Sequence, residues 1–252
     1  EGLIVPAQVN YVGLGGNLRD TGYVFHGSAL VVLRHLRMGY LWDRVRVQGG
    51  AYGSFINYNR ANGALVFLSY RDPNVERTLD VYRGAADYLG NLSLSPEDVT
   101  RAVVGAIGDM DAYLLPGAKG NAALWRHLTG DTDAIRQRIR DEILSTTLQD
   151  FHNFAPHLAR AVDEAVPCAL GGPDADAAAR AHGWPRPRLL SKTGRPSAES
   201  SGGRTFLPMF FPLAAARLLM YLKKNCHLPP CIPELSCRIT RPDPPPASGG
   251  PC

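Results

Sequence analysis

Apolar and polar positions change period several times along the chain, and each change predicts an element. Residues 3–12 (Leu-Ile-Val-Pro-Ala-Gln-Val-Asn-Tyr-Val) read as one strand, with Pro6 tolerated only near an edge or a strand start, and Gly13, Gly15 and Gly16 end it. Between residues 22 and 40, Tyr23, Leu30, Leu33 and Leu36 recur at helical spacing, which predicts a helix packed on a sheet. Residues 41–48 read as a further strand. Two β-rich runs, 52–58 and 64–70, meet at Arg60-Ala61-Asn62-Gly63, and the Asn-Gly pair, which favours positive φ, predicts a hairpin there.

The second half of the pattern is helical. Asp72-Pro73 offers an N-cap and a first-turn proline, and Val75, Leu79, Tyr82, Ala86 and Leu89 then place one apolar stripe on a helix of about four to five turns. Ser95-Pro96-Glu97-Asp98 is a capping box that opens a helix running toward Tyr113, and Leu115-Pro116-Gly117 stops it. Three more helices are expected at 121–128, 132–144 and 148–166, the last opened by Thr147 with Asp150 three residues on. Strands interrupted by one helix, then a run of helices, predict an α+β fold rather than a doubly wound sheet.

Beyond residue 166 the pattern weakens. Residues 175–181 suit a short helix, and from residue 191 onward Gly, Ser and Pro dominate. The expectation is one domain over 1–190, followed by a disordered tail over 191–252. The apolar stretch 206–222 contains Pro208, Pro212 and Arg217 and falls short of a clean membrane span.

Charge and cysteine follow the same division. Of 27 basic and 23 acidic residues, seven and three lie in 193–252, so residues 1–192 are balanced at 20 against 20 and offer no footprint for nucleic acid. Four of the five cysteines (Cys226, Cys231, Cys237, Cys252) and eleven of the 20 prolines also lie after residue 192, which leaves a body that was not built on disulfides. The chain opens on Glu1-Gly2-Leu3-Ile4 without an initiator Met or a visible signal or transit peptide, and is expected to be a fragment or a processed chain.

Most candidate chemistry is weak. Gly13-Leu14-Gly15-Gly16 lacks the third glycine and the later acidic residue of a dinucleotide site, and reads as a glycine-rich loop. His227 and the tail cysteines lack the paired close spacing of structural zinc sites. None of the seven histidines stands in H-E-x-x-H or H-x-x-E-H, and there is no G-x-S-x-G nucleophile elbow.

The densest segment is Leu41-Trp42-Asp43-Arg44-Val45-Arg46-Val47-Gln48-Gly49-Gly50-Ala51-Tyr52-Gly53. Glycines beside Arg46 and Tyr52 let another chain approach closely; an Arg fork binds carbonyl or carboxylate oxygens, and a Tyr hydroxyl can donate to a developing oxyanion. A surface ion pair for Arg44 or Arg46 and a core position for Tyr52 is the plainer reading. On a regular strand the six residues from Arg46 to Tyr52 span roughly 20 Å. The two side chains can serve one bond only if Gly49-Gly50 turn or bulge the chain.

This segment, together with Val5-Pro6-Ala7-Gln8-Val9-Asn10-Tyr11-Val12-Gly13, Phe67-Leu68-Ser69-Tyr70-Arg71-Asp72-Pro73-Asn74 and Ile107-Gly108-Asp109, resembles the C-terminal domain of the presequence-degrading branch of the pitrilysin-like zinc metallopeptidases. The resemblance covers about residues 1–165 and implies a final strand and helix beyond them, of which residues 165–181 read as at best a degraded version. It implies a metallopeptidase-like α/β roll, the last of four related domains that form two halves closing around a chamber. The zinc and the catalytic Glu belong to the N-terminal half, which is missing from this stretch. Arg46 would bind the peptide backbone, Tyr52 would hold the carbonyl oxygen of the scissile bond, and Gly49 and Gly50 would admit the substrate. Gln48 and Ser54 stand where the family pattern has a Ser and a Gly. The implied substrates are unstructured peptides such as cleaved targeting presequences, the partner is the N-terminal half of the same protease, and the compartment is mitochondrial matrix or chloroplast stroma. The chain alone is expected to be inactive. A noncatalytic peptide-binding or structural core subunit of the same fold is the alternative.

Overall fold

A computed structural model describes residues 1–188. The tail cysteines, His227 and the apolar stretch 206–222 lie outside the described residues.

Among the described residues five strands form one mixed sheet in the order β1-β5-β2-β4-β3. They are β1 (Gly2–Ile4), β2 (Tyr11–Asn17), β3 (Gly53–Tyr58), β4 (Ala64–Tyr70) and β5 (Val166–Gly171). Only β1 and β5 are parallel. The α+β reading therefore holds, and so does the β3–β4 hairpin: Tyr58 pairs with Leu65, and Gly63 takes φ 77 in the connection. The first predicted strand is in fact two. Pro6 falls in the break between β1 and β2, and the glycines after Tyr11 continue β2 instead of ending it. Gly16 shows why: a Cβ there would lie 2.2 Å from the Ala161 carbonyl, so the bare backbone is what lets a helix settle against the strand.

Among the described residues the α-helices are α1 (Ser28–His35), α2 (Glu76–Arg83), α3 (Ala85–Gly90), α4 (Pro96–Met110), α5 (Pro116–Thr129), α6 (Asp133–Leu144), α7 (Leu148–Asp163) and α8 (Pro173–Ala181). The capping box at Ser95 is formed, with Asp98 N donating to Ser95 Oγ at 3.2 Å and Ser95 N donating to Asp98 Oδ2 at 3.3 Å. Thr147 and Asp150 make a second one at the start of α7. The single helix expected after Asp72-Pro73 is divided at Gly84 into α2 and α3, and Asp72 is not its cap. Pro116 opens α5 where a stop was expected.

The largest correction concerns residues 41–48, read above as a strand. They are helical. The helix α1 continues as a wider-wound π-helical segment, Leu36–Val47, closed by the Gln48 amide donating to the Asp43 carbonyl five residues back at 2.9 Å. The alternation of Leu41, Val45 and Val47 with polar neighbours suggested a pleat, but Leu36, Tyr40, Leu41 and Val45 are the residues that are buried, and their spacing is helical. Tertiary packing outweighed the β preference of valine.

Val166–Gly171 forms the final strand that the resemblance implied and that the local pattern showed only in degraded form. A weak pattern hides β5, a strand between β1 and β2, whose Ala169 is fully buried. Backbone pairing with β1 on one edge and β2 on the other holds it in place. The core lies between one sheet face and the helices, with Val12, Leu14, Phe67, Leu79, Tyr82, Phe151 and Leu158 all buried.

Candidate functional site

Three segments far apart in sequence converge at the end of the π-helical segment. Its chain reverses at once: the Gly50 amide donates to the Arg46 carbonyl at 2.9 Å, and the Ala51 amide donates to the Val45 carbonyl at 3.1 Å. Both glycines are required, for different reasons. A Cβ on Gly49 would sit 2.4 Å from the Val45 carbonyl oxygen and 3.0 Å from that of Arg44, and Gly50 adopts φ 80. The extended 20 Å path between Arg46 and Tyr52 is thereby replaced by a closed turn, and β3 begins only at Gly53.

The turn is anchored from outside by the Asp72-Pro73-Asn74 string. Asn74 Nδ2 donates to the Gly49 carbonyl at 2.6 Å, and Arg77 donates to the Gln48 carbonyl at 3.2 Å, so helix-end carbonyls find partners. Asn74 is in turn set by Asp72, whose Oδ1 accepts from the Asn74 amide at 2.8 Å while Oδ2 accepts from Thr78 Oγ1 at 2.7 Å. Asp72 is fully buried, and that burial raises its pKa above the ordinary carboxylate value against the opposing pull of these hydrogen bonds. Its backbone pairs with Asn10, each amide donating to the other's carbonyl at 2.8 Å, and Asn10 Nδ2 adds a bond to the Asp72 carbonyl at 3.1 Å. Asn10 fits because β5 offers Gly171, where a Cβ would lie 2.0 Å from Asn10 Oδ1. One buried polar node thus ties the start of β2, the glycine turn, the end of β4 and the end of β5.

Around this node stand the predicted side chains. Tyr52 is 62% exposed, just before β3. Its ring meets Tyr70 edge to face at 5.2 Å, and Tyr70 lies 5.7 Å from Tyr11, so three phenols cross from β3 to β2. They share a sheet face with Phe55, Val66 and Cys168, which keep partial solvent access, and with Leu68 and Leu170, which are buried, while Val12, Leu14, Ile56, Leu65 and Phe67 on the opposite face are buried under helices. Arg46 is half-buried at the helix end, its guanidinium 3.9 Å from the ring centroid of Trp42, one turn earlier. Neither plainer reading describes these residues: Tyr52 is not a core residue, and among the described residues Arg46 makes no ion pair.

Sequence reading missed Trp42, Tyr11, Tyr70 and Arg71 as neighbours of the site. Arg71 carries its guanidinium 5.5 Å from the Tyr70 ring centroid and 5.9 Å from that of Tyr52. The available signal was that Tyr11, Tyr70 and Arg71 all belong to the strings that carry the family resemblance. Cys168 offers no nucleophile, because burial pushes its thiol up to about 11. Among the described residues no three His, Cys, Asp or Glu side chains gather to hold a metal, and no helix is long and apolar enough to cross a membrane.

Comparison with known proteins gives the family and the fold of the chain. The family profile described as "PreP C-terminal domain" matches residues 1–167. A relative from Arabidopsis thaliana named "Presequence protease 1, chloroplastic/mitochondrial" is 49% identical over 179 residues, which are 71% of this chain and 17% of the relative. One from Candida albicans named "Presequence protease, mitochondrial" is 29% identical over 150 residues, 59% of this chain and 14% of the relative. The chain therefore spans less than a fifth of the length of these relatives. Among solved structures, a peptidase M16 inactive domain from Pseudomonas fluorescens superposes with a TM-score of 0.50 at 18% identity, covering 68% of this chain and 43% of that one, which is a likeness of fold.

Proposed function

We propose, for a chain that belongs to the family of presequence protease C-terminal domains, that residues 1–190 act as one substrate-contacting domain of a zinc metalloendopeptidase. The observation that carries this reading is the convergence of the glycine turn, the Asp72–Asn74 string and Asn10 on one buried node that holds an exposed phenol and an ion-pair-free guanidinium beside a half-exposed sheet face. So much buried polar bonding is costly unless complete, and here it supports surface groups.

The described residues do not fit a zinc site, since no ligand trio is present. The metal chemistry that the family implies belongs to the N-terminal half of the same protease, and this chain binds and orients. Tyr52 donates its hydroxyl to the carbonyl oxygen of the scissile peptide bond as negative charge develops there, a contact that strengthens toward the transition state. Arg46, freed from Trp42 or still stacked on it, offers its remaining N–H groups to the peptide backbone. β3 is the last strand of the sheet among the described residues, so an extended peptide has backbone groups to meet next to Tyr52. The substrates are unstructured peptides such as cleaved presequences, and the compartment is mitochondrial matrix or chloroplast stroma, as the names of the relatives support.

The test is made in the complete enzyme that contains this chain. Tyr52→Phe and Arg46→Ala each lower kcat/KM by about 10²-fold. Turnover unchanged by both substitutions overturns the assignment and favours a noncatalytic subunit of the same fold.

A further inference from the structure

Arg71 occupies a backbone position that its side chain does not suit. Its φ is 50, and it is the one non-glycine residue at positive φ among the described residues. At the five other such positions the sequence places glycine: Gly22, Gly50, Gly63, Gly130 and Gly183. Glycine takes this conformation without steric cost, whereas any residue with a Cβ is strained in it. The strain persists because both sides of Arg71 are fixed. Tyr52 N donates to the Tyr70 carbonyl at 3.0 Å, with the Arg71 carbonyl at 3.4 Å, and Asp72 N is held by the Asn10 carbonyl at 2.8 Å. A strained residue in an over-determined setting, beside a binding surface, directs attention to its side chain.

That side chain is exposed, and its guanidinium approaches the Tyr52 and Tyr70 rings at 5.9 and 5.5 Å from their centroids. Among the described residues no carboxylate lies within ion-pair distance of it, whereas Arg34, Arg37, Arg60, Arg140 and Arg186 each have one. The adjacent carboxylate, Asp72, is turned inward onto Thr78 and Asn74. The guanidinium is thus a planar fork of donors, oriented by two phenols and left without a counter-ion. The partner that matches such a fork is a carboxylate, which it can bind through two parallel hydrogen bonds.

We propose that Arg71 is a second substrate-contacting guanidinium, which binds a carboxylate of the peptide alongside Tyr52 and so makes an acidic side chain a recognised feature of the substrate. This rests on the proposed function above and goes beyond it by naming a specificity-determining residue and the group it selects.

The experiment uses the complete enzyme and a set of otherwise neutral decapeptides in which one Glu is scanned along the sequence, each paired with its Gln counterpart. For at least one position the Glu peptide has a KM about tenfold below its Gln partner, the gain of one charge-assisted contact at an exposed site. Arg71→Gly brings that ratio to about one and melts no lower than the unsubstituted enzyme, because glycine relieves the backbone. Arg71→Lys keeps part of the ratio. The proposal is overturned if no position discriminates Glu from Gln, if the ratio survives in Arg71→Gly, or if that variant melts several degrees lower and loses both peptides equally. Tyr52→Phe separates the two readings. If it slows every peptide while Arg71→Gly changes no ratio, only the role of Arg71 fails; if it slows none, the proposed function fails as well.

Discussion

Gly49 and Gly50 are adjacent and do different work, which mutations can separate. At Gly49 a methyl group meets backbone oxygens that cannot move aside without opening the end of the helix. Gly49→Ala is therefore expected to cost about 1–3 kcal/mol, measured by chemical denaturation. Gly50 has room, its nearest neighbour being Pro73 Cγ at 3.5 Å from a built Cβ, and only φ 80 objects. There Ala is expected to cost about 1 kcal/mol, and Asn less, since Asn enters the left-handed region more readily than Ala. Equal losses from Ala at both positions would show that conformation alone, and not close approach, governs the turn. A turn or bulge at Gly49-Gly50 was expected from the sequence; the separate reason for each glycine was not. That Arg46 precedes it on a helix was not, because Val45, Arg46 and Val47 satisfy a two-residue alternation as readily as a helical one over so short a run.

Two helix starts announced by a local capping box were read correctly, whereas Asp72-Pro73 and Leu115-Pro116-Gly117 were misread. Capping boxes at Ser95 and Thr147 act within four residues and survive any tertiary setting, so the starts of α4 and α7 were predictable. Ser95→Ala is expected to lower stability by about 1 kcal/mol, with earlier fraying of α4 seen by hydrogen exchange. α1 carries a different signature. His35 is partly buried between Tyr88, whose hydroxyl lies 3.1 Å from Nε2, and the edge-facing ring of Phe151. Desolvation lowers its pKa from the ordinary 6.5, against a smaller opposing effect of Asp98. A lowered folded value means that the neutral ring is favoured in the fold, so its contribution is present above about 6.5 and is lost as pH falls through the folded pKa. His35→Phe is accordingly expected to melt with less acid sensitivity between pH 7 and 5 than the unsubstituted protein, as thermal scans at both pH values would show.

At the scale of the whole molecule, burial is uneven. α7 places Phe151, Phe154, Leu158 and Val162 in the core, whereas α5 buries no residue and leaves Leu124, Trp125 and Leu128 exposed. Leu79→Ala, at a fully buried position, should cost about 2–5 kcal/mol, while Trp125→Ala, at 61% exposure, should stay within about 0.5 kcal/mol in this chain. Comparable losses at both sites would contradict the described packing. The half-exposed sheet face around Tyr11, Tyr70 and Tyr52 belongs to this same unevenness: one face of the sheet is closed by helices, and the site stands at the margin of the other.

By itself the sequence determined the α+β class, the hairpin, the capped helix starts and the strings that mark the family, because each depends on residues close together in the chain or on a run of unusual residues. Tertiary structure alone decided that residues 41–48 wind as a helix and that the strand at residues 166–171 is inserted between β1 and β2. It also placed Asn10, Gly49, Asp72 and Asn74 in one hydrogen-bonded node. These outcomes depend on which partner each segment buries against, and burial is a property of the assembled layers that no local period encodes.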